Sequence, residues 1–96
     1  MSAPGLLERP VDSAGLSGEW IVTVYDNPVN TVDEVMDILM AATACTADEA
    51  AIETWEIDRL GSSVVHHGSQ SECERVAEIV ATIGIRVEVS KESVGV

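Results

Sequence analysis

The chain has 96 residues, 46% of them hydrophobic, and a formal net charge of -12 from 17 acidic and 5 basic residues. That length holds one small domain with one core, and the hydrophobic content sets it apart from disordered chains. The charge argues against nucleic acid and anionic membrane surfaces, whose phosphates it would repel; it suits cationic partners, or serves only to keep the domain soluble.

Aromatic residues make up only 3%, with no Phe, so the core must be built from Val, Ile, Leu, Met and Ala. Residues 1–18 carry Pro, Gly and Ser without a hydrophobic period and read as a flexible tail. They lack the basic start and apolar stretch of a secretory signal. No apolar run approaches the ~20 residues of a membrane span. A folded domain is expected over residues 19–90, with a flexible end over 91–96.

The first element is "WIVTVY". Ile21, Thr23 and Tyr25 alternate with Trp20, Val22 and Val24, the pattern of a strand partly covered on both faces. A polar hinge follows, Asp26-Asn27-Pro28-Val29-Asn30. Pro28 cannot continue a ladder. Asn30 or Thr31 can cap the next helix, and Asp33 and Glu34 suit its positive end. Val32, Val35, Met36, Leu39 and Met40 then follow helical spacing.

The second helix opens on a capping box, Thr46-x-x-Glu49. Its apolar positions are Ala47, Ala50, Ala51, Thr54, Ile57 and Leu60, and Gly61 is a natural C-cap. "SSVVHHG" is a short strand. A second capping box, Ser69-x-x-Glu72, opens the third helix, which ends at Gly84. The last strand, "IRVEVS", puts Ile85, Val87 and Val89 on one face. The order β-α-α-β-α-β predicts an α+β two-layer sandwich with three strands and three helices. Whether the last two strands pair with each other or flank the first is open.

Little in the chain resembles reaction chemistry. There is no nucleophile elbow and no phosphate-binding glycine loop, so no catalytic residue is expected. His66 and His67 are adjacent in a strand and point to opposite faces, which cannot easily share one ion. Cys45 and Cys73 fall on two different predicted helices without metal-like spacing. Reduced thiols and a cytoplasmic location are the expectation. No metal and no cofactor are expected. The hinge keeps two readings open. It is a turn with a helix cap, or its oxygens also hold a cation attached to an apolar group.

From Trp20 to about Ser90 the chain resembles the ClpS family, adaptors of the Clp ATP-dependent protease. The family pattern runs from a strand through N-D-D or N-D-P into a helix with M-x-x-V; here it reads "VTVYDNPVNTVDEVMDIL". The second family motif, M-L-x-V-H-x-x-G, is matched by "TWEIDRLG", Thr54 to Gly61. The resemblance implies a non-enzymatic adaptor that binds proteins with a bulky apolar N-terminal residue and hands them to a Clp unfoldase. The substrate α-amino group would be held by Asp26, Asn27 and Asp58, with Asp58 at the family's His. The side-chain pocket would be Val32, Val35, Thr54, Ile57 and Ile85. Unfoldase docking would fall to Glu72 and Glu74 on the third helix, with Val76 at the family's basic docking position. The tail would help engage the unfoldase. The exchanged hinge letters and Asp58 leave an alternative: an interaction module that no longer reads N-termini and binds another partner.

Overall fold

The computed structural model describes residues 19–92, so the expected tail over residues 1–18 lies outside the described residues, as do residues 93–96. The elements are β1 (Trp20–Tyr25), α1 (Val32–Thr43), α2 (Ala47–Leu60), β2 (Ser62–Gly68), α3 (Gln70–Ala81) and β3 (Val87–Lys91). The expected α+β order is therefore present. The sheet order is β2-β1-β3, and β1 is antiparallel to both neighbours. The last two strands thus flank the first. The α3 helix explains why: β2 and β3 are parallel to each other, and parallel strands need a crossover, here a helix packed over β1 and β3.

As the central strand, β1 buries Val22 and Val24 under the helices, while Ile21, Thr23 and Tyr25 are half-buried on the other face. The core adds Leu39 from α1, Ala50 and Ile57 from α2, Val65 from β2, and Cys73, Val76 and Val80 from α3. In β2 a bulge skips Val65: Val22 faces His66 and Thr23 faces Val64. His66 therefore lies on the face of Val22 and His67 on that of Ile21. Lys91 pairs with Trp20, and Glu92 N–H donates to Glu19 O at 2.9 Å. The sheet thus takes in Lys91, expected in the C-terminal end, and Glu92 is bonded beside it. Among the described residues no helix is long and apolar enough to cross a membrane.

Two helices start with reciprocal capping boxes, Thr31 with Glu34 and Thr46 with Glu49. At α3 only half of the expected box forms. Ser69 Oγ accepts from Glu72 N–H at 3.2 Å, but Glu72 Oε1 lies 3.4 Å from His66 Nε2. The buried stripe of α2 is Ala50, Thr54 and Ile57; Leu60, expected on that face, is its last residue and 70% exposed.

Gly61 ends α2 in the left-handed region, at φ 91°, and nothing lies within 4 Å of where a Cβ would stand. Gly61→Ala is therefore expected to cost about 1 kcal/mol from backbone strain alone. Gly61→Asn, which tolerates that conformation, should cost less. Thermal unfolding of the three proteins checks this, and equal midpoints would contradict it.

Candidate functional site

The hinge starts where β1 ends. The Tyr25 hydroxyl donates to Glu88 Oε1 at 2.8 Å, which pushes its pKa up, and the Arg86 guanidinium lies 4.3 Å from the ring centre. The next N–H, of Asp26, donates to Gly61 O at 3.0 Å. This bond ties the start of the hinge to the C-cap of α2, three residues beyond Asp58.

Asn27 then folds the hinge on itself. Its Oδ1 accepts from Val29 N–H at 3.2 Å and Asn30 N–H at 2.9 Å, an Asx-type turn. Its Nδ2 donates to Asn30 Oδ1 at 2.8 Å and to Gly84 O at 3.4 Å. Asn30 Nδ2 in turn donates to Ile83 O at 2.9 Å and to Glu34 Oε1 at 3.3 Å. The two asparagines thus fasten the hinge to the turn between α3 and β3. The helix cap is Thr31, whose N–H donates to Glu34 Oε1 at 2.9 Å. That bond, then one from Asn30, holds the Glu34 carboxyl below its ordinary range.

Hinge, α1 and α2 enclose a cavity of about 280 Å3. Its rim is Asp26, Asn27, Pro28, Asn30 and Thr31 from the hinge, and Asp58 from α2. Val32, Val35, Thr54 and Ile57 complete the lining. Val35, Thr54 and Ile57 are buried, Ile57 at 2% exposure, whereas Val32 in the first turn of α1 is 60% exposed. The Thr54 hydroxyl donates to Ala50 O at 2.7 Å, so it can only accept toward the cavity.

One expected pocket residue is not there. Ile85 is 4% exposed and belongs to the core cluster; it lines neither this cavity nor the next. It precedes β3 and turns inward with the rest of the apolar packing. The chemistry of Asn27 also departs from expectation. Both lone pairs of its amide oxygen accept backbone N–H groups, so its part is to shape the rim. The rim also carries the exposed carboxylates of Asp26 and Asp58, and no cation of the described residues lies at ion-pair distance from either. Asn27→Ala removes bonds on both sides of the amide and is expected to destabilise the fold by about 1 kcal/mol. Chemical unfolding measures this; an unchanged midpoint would show the hinge to hold without it.

A second cavity of about 210 Å3 lies beside the first and was not foreseen. It is lined by Met36 of α1 and Ala51 and Trp55 of α2, and shares Val32, Thr54 and Asp58 with its neighbour. The signal was in the spacing: Ala51, Thr54, Trp55 and Asp58 fall at i, i+3, i+4 and i+7 on one helical face. Trp55 is 55% exposed, with the Arg59 guanidinium 5.5 Å from its ring centre.

Other expected residues lie away from the cavities. Glu72 and Glu74 are exposed near the start of α3, where Glu74 Oε2 accepts from Gln70 Nε2 at 3.3 Å. Val76, at the family's docking position, is buried in the core. Cys73 is buried, and burial pushes its thiol pKa up. Cys45 stands in the connection between α1 and α2, one residue ahead of the Thr46 cap, and not on a helix. Among the described residues no group of His, Cys, Asp and Glu could hold a metal ion.

Three comparisons bear on this arrangement. The family model described as ATP-dependent Clp protease adaptor protein ClpS matches residues 17–88. No curated protein sequence matches the chain. Among solved structures the chain is similar to ClpS2 of Agrobacterium tumefaciens bound to L-phenylalaninamide, with a TM-score of 0.74 and 17% identity, covering 80% of this chain and 100% of that one. At that identity the likeness speaks for the fold.

Proposed function

The chain belongs to the ClpS family, the adaptor proteins of the ATP-dependent Clp protease, and from that premise we propose that it binds the N-terminal residue of substrate proteins and delivers them to a Clp unfoldase. The proposed substrates begin with a bulky apolar residue. The observation that carries this reading is one cavity with two carboxylates at its rim that have no partner among the described residues, and a buried apolar floor. An α-ammonium brings three donors and a charge, which Asp26 and Asp58 can accept. The attached side chain then lies against Val35 and Ile57, away from water. An internal residue of a protein has no α-ammonium beside its side chain, which is what would make this rim select termini.

The ligand of ClpS2, L-phenylalaninamide, pairs an amine with a bulky apolar side chain, which supports the same division of labour here. The work is binding, with no bond made or broken by this chain. Glu72 and Glu74 are the proposed contacts to the unfoldase. Asp58 and the inward-bonded Asn27 amide favour one second reading: the pocket takes a cationic apolar group that is not a protein N-terminus.

Delivery is tested with a folded reporter that starts with Phe, incubated with a Clp unfoldase and peptidase. The chain should accelerate its degradation, and the same reporter starting with Ala should be spared. Equal rates for both, or no effect of adding the chain, would contradict the reading.

A further inference from the structure

The two cavities meet along a ridge. Val32, Thr54 and Asp58 line both, so these side chains stand between an inner lobe floored by Val35 and Ile57 and an outer one walled by Met36 and Trp55. The lobes differ in chemistry. The inner one carries the hinge oxygens, whereas Asp58 is the one charged residue of the outer lobe and the remaining wall is largely apolar. Each alone is smaller than the ~300 Å3 at which ligand pockets usually begin.

From this geometry we infer that the outer lobe is a second subsite, which takes an apolar or aromatic side chain at the second position of the bound protein. The inference rests on the proposed reading of N-termini and adds a selection that reading does not contain. In an extended peptide successive side chains point to opposite sides of the backbone, with Cα atoms about 3.8 Å apart. A backbone laid over the Val32–Asp58 ridge puts the first side chain in the inner lobe and the second in the outer one. The α-amino group then stays beside Asp58, the one carboxylate common to both. Trp55 and Met36 favour an aromatic occupant, through ring–ring and sulfur–ring contacts.

Four peptides differing only at their start test this on the full chain: Leu-Phe, Leu-Ala, Trp-Ala and N-acetylated Leu-Phe. Affinities measured by calorimetry should place Leu-Phe about ten-fold tighter than Leu-Ala. Trp55→Ala should cut that ratio below about two-fold; Trp55 is exposed and outside the core, so the fold tolerates its loss. Equal affinities for Leu-Phe and Leu-Ala, with acetylation abolishing binding, would overturn the second subsite and leave N-terminal recognition standing. A gain for Trp-Ala without one for Leu-Phe would mean that one large first side chain fills both lobes, and would also overturn it. Acetylated Leu-Phe binding as well as the free peptide would overturn both readings.

Discussion

Replacing Asp26 and Asp58 together by alanine is expected to weaken the binding of a peptide with N-terminal Leu about 100-fold, and each replacement alone about ten-fold. The reason is the acceptor count at the rim. Asn27 has its amide oxygen bonded to two backbone N–H groups, and Asn30 donates its amide protons to Ile83 O and Glu34. The two aspartates are left to receive the ammonium. Hydrogen bonds to charged groups contribute about 1.5–3 kcal/mol, less where solvent reaches them, and both side chains are exposed. At least ~1 kcal/mol per carboxylate follows. Asp58→Asn keeps an acceptor but not the charge, and should fall between alanine and the native residue. Folding should not confuse the result. Asp58 lies in the last turn of α2, where the helix dipole disfavours an anion, so its replacement leaves the fold intact or slightly firmer. An affinity unchanged by either single replacement would remove that aspartate from the site.

The second large effect concerns stability. Glu53 sits on α2 with Oε1 buried and without a hydrogen-bond partner. Burial, then the charges of Glu49 and Glu56, push its pKa from 4.5 up to about 7. Glu56 meets the same crowding with a partner, accepting from the Ser63 hydroxyl at 2.6 Å. A raised carboxyl pKa means that the folded chain keeps the proton while the unfolded chain has already released it. Stability from this group is complete below pH 4.5 and is lost as pH rises through about 7. Glu53→Gln removes the loss. The variant should match the native protein at pH 4 and exceed it by about 1–2 kcal/mol at pH 8, a figure reduced for the solvent that reaches this half-buried side chain. Denaturant unfolding at the two pH values measures it. A constant difference between the proteins would show that packing, and not ionisation, separates them.

Much of the fold was legible because it follows from local rules. The alternation in Trp20–Tyr25, the caps at Thr46 and Ser69, and the stop at Gly61 depend on residues close in sequence, and each lies where its pattern put it. Strand order was not legible, because a crossover helix permits more than one sheet order until its packing is known. The hinge shows the same division. Its position and the apolar face behind it could be read, and hinge, Val35, Ile57 and Asp58 do line one cavity. The full set of Asn27 partners could not: its oxygen turns to the nearby Val29 and Asn30 N–H groups, but its Nδ2 also donates to Gly84 O, more than fifty residues away. Ile85 misled for a related reason. Its place at the start of an alternating strand marks it as buried, but not whether the core or the cavity buries it. Trp55 shares a helical face with Ala51, Thr54 and Asp58, but that spacing becomes a groove only where Val32 and Met36 of α1 close its other side.

The central claim is that the rim of this cavity grips a free α-ammonium. Calorimetric titration of one peptide beginning with Leu, against the same peptide N-acetylated, tests it most directly. Acetylation removes the charge and leaves one N–H donor, while the side chain is untouched. The free peptide should bind and its acetylated twin should lose at least ~100-fold in affinity. Equal affinities, or no binding by either, would contradict the claim.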